Sequence, residues 1–223
     1  MNYVKNFFIV VGLFILSQVS MTVFGVLKGM SLASGQAAMS SVNTLILILI
    51  TVANIVLLMW LAKKLSLCEF TFDWINKKNV LMIAVLYFAG RIVAIGGTYL
   101  GQLVNGQETT ANDAIIDSIF SGESSVLLFL LIAVSAPIME EIVFRGGIMG
   151  LLFKNQPFIG MAVSSIVFGL IHTATTFIDF MLYALLGLIM AYPYYKTKRL
   201  EVSIAVHFVN NAISAIAMIL MMQ

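Results

Sequence analysis

The chain has 223 residues, of which 61% are hydrophobic and only 10% are charged, and its mean hydropathy is +1.05. Soluble globular chains are closer to half apolar and a quarter charged, so this composition predicts a membrane protein with several spans and no separate soluble domain. The formal net charge of +2 is too small and scattered to indicate nucleic-acid binding, and the single Cys68 excludes an intramolecular disulfide and is expected to be an inert thiol.

Seven apolar segments follow one another along the chain. Each segment is continuously apolar, without the alternation of polar and apolar residues that barrel strands show. This favours membrane-crossing helices over a β-barrel. About 20 residues cross the hydrocarbon layer, and the fifth segment is short by that measure. The segments are 6–27, 41–62, 79–100, 125–153, 158–173, 177–195 and 201–222. We therefore expect an all-α, polytopic transmembrane bundle of about seven spans.

The placement of lysine and arginine predicts how the bundle is oriented. Cytoplasmic loops of membrane proteins are enriched in these residues. Loops 63–78 and 196–199 carry most of the lysines and arginines. Loop 101–124 carries four acidic residues and no lysine or arginine. The N-terminus is therefore predicted in the cytoplasm and the C-terminus outside, with Lys28 as the exception. Residue usage and small size favour a bacterial plasma membrane.

The acidic loop contains a pattern of its own. Its apolar residues Ile115, Ile116, Ile119 and Phe120 recur at helical spacing. This predicts a short helix over 111–120 that lies on the outer surface. A packing role is favoured over gating of substrate access.

The fourth segment holds three charged residues at membrane depth. Such charges cost about 2.5–3.5 kcal/mol each on insertion scales, so their presence needs a reason. Glu141 and Arg145 are four residues apart, one above the other on a helix, and are expected to pair. Glu140 is rotated by about 100° from Glu141, which leaves it free of that pair. Pro137 lacks an N–H and is expected to free a carbonyl in the preceding turn.

Both histidines of the chain fall within predicted spans. Glu140 and His172 each lie about 21 Å along their helices from the connection between spans four and five, so they can meet if these spans pack side by side. His207 and Asn211 are four residues apart and share one face of span seven. Four polar groups on three apolar helices are costly for packing alone. They are therefore predicted to converge on a polar cavity inside the membrane and to have a functional role there.

Three motifs in series resemble a known family. They are Glu140-Glu141-x-x-x-Arg145, Phe168-x-x-x-His172 and His207-x-x-x-Asn211, each on its own predicted helix. In this order they resemble the CPBP (Abi) family of CAAX-processing and bacteriocin-processing intramembrane peptidases, which is related to the Rce-type CAAX prenyl endopeptidases. The resemblance covers about residues 125–222 and divides the single domain, 1–223, into a motif-bearing core and the N-terminal spans of 1–124.

The resemblance implies a glutamate-dependent intramembrane endopeptidase without a cofactor. Glu140 would be the general base, His172 would position or share the water, and His207 with Asn211 would bind the oxyanion. Glu141, Arg145 and Phe168 would support the site. The expected partners are membrane lipid and a membrane-associated or lipidated peptide substrate, with no nucleic acid.

A zinc-dependent version of the same peptidase is the first alternative. Two histidines and one glutamate are the ligand set of many catalytic zinc sites. Glu140, His172 and His207 would then bind the metal and Glu141 would be the base. The metal-free interpretation is favoured because Glu141 is better explained as the partner of Arg145.

Two other functional classes compete with hydrolysis. One is a bacteriocin self-immunity protein that protects by binding, and the other is a small transporter with a proton-relaying Glu–His pair. Glycine-interrupted helices in two matching halves of the chain would favour transport, and the sequence shows no such symmetry. Arg91, about 18 Å deep in span three, is interpreted as balancing a carboxylate of the site. Binding of a substrate's C-terminal carboxylate is its alternative role.

Overall fold

A computed structural model describes residues 2–221, and all regular secondary structure within that range is helical. We number the helices α1 to α9 in chain order. They are α1 Tyr3–Ser17, α2 Val19–Ala33, α3 Ser41–Lys64, α4 Lys77–Asn105, α5 Ala111–Phe120, α6 Ser125–Leu152, α7 Pro157–Ile171, α8 Phe177–Thr197 and α9 Leu200–Met221.

These helices confirm the predicted polytopic bundle. Six helical stretches are long and apolar enough to cross a membrane, with α1 and α2 together forming one stretch of 31 residues that is interrupted at Gln18. The remaining predicted span, the fifth segment at 158–173, corresponds to α7, whose 15 residues rise only about 22 Å. The predicted end of the last span, residue 222, lies outside the described residues.

The helix α6 occupies the interior of the bundle. In its most apolar stretch 56% of the residues are buried, against 11% in α4, which presents most of its surface to lipid. Its contacts include α1, α3, α7 and α9. Of the six membrane-length stretches, the one that carries both glutamates of the first motif is therefore the most enclosed.

The winding of α6 changes three times near these glutamates. Segments with i to i+5 hydrogen bonds, Phe129–Ser135 and Ile142–Leu152, flank a short α-helical segment, Ala136–Glu141. Pro137 has no N–H to donate to the preceding turn, and the carbonyl of Ile132, five residues earlier, accepts from Asn211 Nδ2 at 3.0 Å instead. Such wide turns occur frequently at functional sites.

Glycines allow α7 and α8 to pack closely. A Cβ on Gly169 would lie 2.9 Å from the carbonyl oxygen of Phe180, and one on Gly187 would lie 3.1 Å from Phe168. Small residues are used in this way at helix interfaces within membranes. The close approach fixes the end of α7, from which His172 projects.

The predicted helix in the outer loop is also present. The helix α5, Ala111–Phe120, begins at Thr110, whose hydroxyl accepts from the Asp113 N–H. Lys28, which departs from the predicted charge distribution, is buried and pairs with Glu123 at 2.7 Å. This ion pair explains how a lysine is accommodated at that end of the bundle.

Candidate active site

The two adjacent glutamates of α6 have different surroundings. The Glu141 side chain is fully buried and lies 3.1 Å from Nη1 of Arg145, so the expected pair is formed. The Glu140 side chain is 20% exposed and forms no hydrogen bond through its Oε2 atom. The pairing of one carboxylate and the freedom of the other follow from their rotation about the helix axis.

Glu141 connects α6 to α9. Its Oε1 atom lies 2.8 Å from His207 Nδ1, and its Oε2 atom accepts from the Ser203 hydroxyl at 2.6 Å. A carboxylate held ionised by Arg145 can only accept, so Nδ1 of His207 carries a proton. The other nitrogen of the imidazole, Nε2, therefore faces away from Glu141.

His172 is fixed at the end of α7 in a comparable way. Its Nδ1 lies 2.7 Å from the carbonyl oxygen of Phe168, which can only accept, so Nδ1 again carries the proton. The ring stacks on Tyr183 at 4.6 Å with 16° between the planes, and it packs against the Phe168 ring at 4.2 Å. Its Nε2 atom is thereby left to face the interior.

The two Nε2 atoms converge on the free carboxylate. Glu140 Oε2 lies 4.0 Å from His172 Nε2 and 3.9 Å from His207 Nε2. These separations are too long for direct hydrogen bonds, but they fit a water-sized molecule that bonds to each atom at about 2.8 Å. Glu140 Oε2 is buried and has no hydrogen-bond partner among residues 2–221.

A small cavity adjoins Glu140 near the junction of α1 and α2. Its volume is about 60 Å³, enough for water. It is lined by Glu140 and by side chains from the α1–α2 junction and α6: Ser17, Gln18, Ser20, Met21, Leu131, Ser135, Ala136 and Met139. Four of these are hydroxyl or amide residues, so the free carboxylate lies beside a polar compartment within the membrane.

Asn211 lies one turn beyond His207 on the same face of α9. Its Nδ2 donates to the Ile132 carbonyl, which joins α9 to α6. Within residues 2–221 it forms no hydrogen bond to Glu140, His172 or His207. Because a side-chain amide has two N–H groups, one remains for a ligand.

The structure changes two expectations. Because Nδ1 of His207 is engaged by Glu141, its Nε2 can donate to an oxyanion only when the ring is protonated. Arg91 donates to Asn210 Oδ1 at 3.2 Å and to Ser214 Oγ at 3.1 Å, and it forms no ion pair with a carboxylate in the described part of the chain. The expectation that it balances a carboxylate of the site is therefore not met by any direct contact.

The zinc alternative can be tested against the distances. Glu140, His172 and His207 are suitable in type, but ligand atoms that share a tetrahedral zinc lie about 3.4 Å apart, closer than the 3.9 and 4.0 Å found here. Across residues 2–221 no group of three or more His, Cys, Asp or Glu side chains has the spacing to hold a metal.

Two further residues of the site were not identified from the sequence. Ser203 lies four residues before His207 on the same face of α9, and this spacing was a usable signal. Tyr183 gave no such signal, because its stacking on His172 depends on how α7 packs against α8. Its hydroxyl lies 3.1 Å from Asp113 and 2.9 Å from Thr110, which connects the site to the start of α5.

Comparison with known proteins finds similarity to membrane peptidases. Residues 122–213 match the family model described as "Type II CAAX prenyl endopeptidase Rce1-like". This part of the chain, which includes Glu140, His172 and His207, is therefore similar to CAAX-protease-like membrane peptidases. No solved structure matches the chain.

Three bacterial proteins are similar to the chain. YdiL of Bacillus subtilis (strain 168), named as a candidate membrane peptidase, is 34% identical over 107 residues, which are 48% of this chain and 42% of that protein. The membrane-embedded CAAX protease MroQ of Staphylococcus aureus (strain USA300) is 30% identical over 65% of this chain and 60% of its own length. The UPF0177 protein YvdC of Lactococcus lactis (strain IL1403) is 24% identical over 60% and 49%. The chain thus spans about half the length of the curated relatives it matches.

Proposed function

We propose that the protein is an intramembrane endopeptidase that hydrolyses a peptide bond in a membrane-associated or lipidated peptide. The observation that carries this proposal is the approach of two imidazole Nε2 atoms to one unpartnered carboxylate oxygen, at 3.9 and 4.0 Å. Peptide hydrolysis needs a base, a held water and donors for the developing oxyanion. These residues supply groups of all three kinds.

In the proposed reaction, Glu140 and His172 hold the attacking water. The water donates its two hydrogens to Glu140 Oε2 and His172 Nε2, which leaves an oxygen lone pair for the peptide carbonyl carbon. Glu140 takes a proton as the C–O bond forms. It returns that proton to the leaving nitrogen when the tetrahedral intermediate collapses.

The oxyanion is stabilised from α9. His207, protonated and held at Nδ1 by Glu141, donates Nε2–H to the oxyanion, and the second N–H of Asn211 donates beside it. Loss of one such donor costs about 2.7–4 kcal/mol of transition-state stabilisation in well-studied enzymes. Glu141 thereby acts as the orienting carboxylate of His207, and Arg145 keeps Glu141 ionised.

The reaction is proposed to proceed without a metal ion. The separations around Glu140 Oε2 support this, since they exceed those of ligands that share one zinc. The proposed setting is a bacterial plasma membrane with the N-terminus in the cytoplasm, which the distribution of lysine and arginine supports.

The decisive experiment replaces Glu140 by Gln, which keeps the shape of the side chain and removes its basicity. Membrane peptidomes of cells that produce the wild type should lack peptides that persist in cells with Glu140→Gln. Glu108→Gln, in an exposed part of the outer loop, removes the same charge and serves as the matched control. Identical peptidomes in wild-type and Glu140→Gln cells would contradict the proposal, as would normal turnover by the purified variant.

A further inference from the structure

The cavity beside Glu140 has the size and the lining of a water site. Its volume of about 60 Å³ equals the share of about two molecules in liquid water. Pockets that take organic ligands are larger, at about 300–1,000 Å³. Three of the lining side chains, Ser17, Ser20 and Ser135, are buried hydroxyls. A polar cavity of this size takes up water, whereas an apolar one stays dry.

Two of these hydroxyls have hydrogen-bonding capacity left for water. Within residues 2–221, the Ser20 hydroxyl accepts from Asn54 Nδ2 at 3.3 Å and donates to no protein group. The Ser135 hydroxyl donates at 3.3 Å to the sulfur of Met139, which is a weak acceptor. Because a buried hydroxyl costs free energy unless it is well hydrogen-bonded, both groups favour water in the cavity that Glu140 borders.

The cavity meets the surface of the bundle where α1 ends and α2 begins. Of its lining residues, only Gln18 and Met21 are exposed. Gln18 lies in the middle of the 31-residue stretch Tyr3–Ala33, so it is far from both ends of the span. Its Nε2 atom donates to Ser17 Oγ at 2.9 Å, which turns the amide toward the cavity. On this side hydrocarbon separates the cavity from bulk solvent.

The cavity and the proposed peptide position have Glu140 in common but no other catalytic residue. In the described part of the chain, no residue of α7 or α9 lines the cavity. A peptide that is held by His207 and Asn211 therefore covers the side of Glu140 that faces these residues and leaves the cavity unoccupied by peptide. The same peptide hinders access of bulk water to Glu140, although each hydrolysis consumes one water molecule.

From these observations we propose that the cavity stores water within the membrane and supplies the molecule that attacks the peptide bond. Ser20 and Ser135 are positioning residues, because they hold water beside Glu140 without touching the peptide. The cavity refills after the products leave. The inference rests on the proposed function and adds to it a source of water that is separate from the peptide site.

Radical labelling in H₂¹⁸O tests whether the cavity is hydrated. Brief X-ray irradiation forms hydroxyl radicals from water in place, and mass spectrometry locates methionine sulfoxide that carries ¹⁸O. Met139 lines the cavity and is 2% exposed, whereas Met149, the control methionine, is 4% exposed in the same helix and lies outside the cavity. In the full chain in lipid nanodiscs, we expect at least about 3-fold more label on Met139.

The label should persist while a peptide is bound. The probe is an N-palmitoylated decapeptide, chosen as the member of a random-sequence pool that the wild type cleaves fastest and then synthesised alone. Glu140→Gln protein is labelled with and without a saturating amount of this peptide. We expect the label on Met139 to stay within about 2-fold, because the peptide does not enter the cavity.

A pair of double variants connects hydration to turnover of the same peptide. Ser20→Ala/Ser135→Ala removes both hydroxyls that favour water and no charge. We expect its Met139 label to fall to that of the control methionine and its kcat to fall about 10-fold, as two lost hydrogen bonds allow. Its KM should be unchanged, since neither residue touches the peptide. Ser31→Ala/Ser165→Ala removes two buried hydroxyls outside the cavity and should retain both the label and kcat.

Three results would overturn the inference without affecting the proposed hydrolysis. They are equal label on the two methionines of the wild type, loss of the Met139 label when peptide binds, and wild-type kcat in a Ser20→Ala/Ser135→Ala protein that has lost the label. Absence of any Glu140-dependent cleavage of the pool would instead contradict the proposed function, and the supply role would fall with it.

Discussion

His207 Nδ1 lies 2.8 Å from Glu141 Oε1, and this contact determines which nitrogen of the imidazole faces Glu140. The adjacent glutamates therefore have separate tasks. Glu141, fully buried and paired with Arg145, orients a histidine, whereas Glu140 keeps an oxygen without a partner. A buried carboxylate that orients an imidazole is a recurring device in hydrolases.

Replacement of Glu141 by Gln should damage both stability and activity. It leaves the Arg145 charge uncompensated in the core, which typically costs about 3–5 kcal/mol, and it removes the carboxylate that orients the His207 ring through Nδ1. We expect kcat of the folded fraction to fall at least about 100-fold. Thermal unfolding and single-turnover kinetics in detergent would measure the two effects.

Ser203→Ala is the matched control for this variant. It removes one hydrogen bond to Glu141 and leaves both charges in place, so it should cost about 1 kcal/mol and little activity. A Glu141→Gln protein with wild-type Tm and kcat would show that the Glu141–His207 contact is not required.

Tyr183 should position His172 through its ring and not through its hydroxyl. Tyr183→Leu removes the stacked ring and should lower kcat about 10-fold, since small displacements of catalytic groups are costly. Tyr183→Phe keeps the stack while it removes the contacts to Asp113 and Thr110, so it should retain kcat. Equal kinetics for the two variants would argue against the positioning role.

Metal removal should leave the activity unchanged. We expect the purified protein to turn over at the same rate with and without a strong chelator, and to contain less than stoichiometric zinc by elemental analysis. Loss of activity in chelator that added zinc restores would instead support a metal bound by Glu140, His172 and His207, with Glu141 as the base.

Cys68, in the loop between α3 and α4, should be unreactive in the folded protein. Burial raises the pKa of this thiol from 9.0 to about 12, although the Phe70 N–H opposes the shift. At pH 8 only about one molecule in 10⁴ then carries the thiolate. Maleimide labelling should be slow in the folded state and fast after denaturation, and it reports on one site because the chain has one cysteine.

The sign of the linked stability effect follows from the same shift. Between pH 9 and 12 the folded protein retains a proton that the unfolded chain releases, so the contribution of Cys68 is complete below pH 9 and is lost as the pH rises toward 12. Rapid labelling of the folded protein at pH 8 would contradict the burial of this thiol.

Much of the bundle follows from local patterns in the sequence. Continuous apolar runs predict the spans because a membrane helix must satisfy its own backbone, and i, i+4 spacing predicts the Glu141–Arg145 pair. Contacts between side chains of different helices could not be predicted, because they depend on how the helices pack. Depth along α4 placed Arg91 near the level of Glu140, but only the rotation and contacts of α4 determine that it meets Asn210.

The tautomer of His207 is a second case of this kind. Sequence spacing places an imidazole near the glutamates, but the nitrogen that each glutamate meets depends on the distance between α6 and α9. The wide turns of α6 also depend in part on how helices pack. Pro137 predicts a free carbonyl, but the sequence does not predict that Asn211 binds it.

The contact between Asn211 and Ile132 allows the structural and chemical roles of Asn211 to be separated. Asn211→Ala leaves the Ile132 carbonyl unsatisfied in the membrane and should cost about 0.5–2 kcal/mol of stability. Pro137→Ala supplies a backbone N–H that can bond to the preceding turn, so Asn211→Ala should cost less in that background. A double-mutant cycle on unfolding free energies measures this coupling.

The same four proteins test the catalytic role, because an oxyanion donor acts on the reaction and not on the helix. If Asn211 donates to the oxyanion, Asn211→Ala should lower kcat about 100-fold or more. The loss should be the same in the wild-type background and in the Pro137→Ala background. Rescue of stability without rescue of kcat is therefore the expected result. Rescue of both by Pro137→Ala would make Asn211 a structural connection between α6 and α9, and would leave protonated His207 as the proposed oxyanion donor.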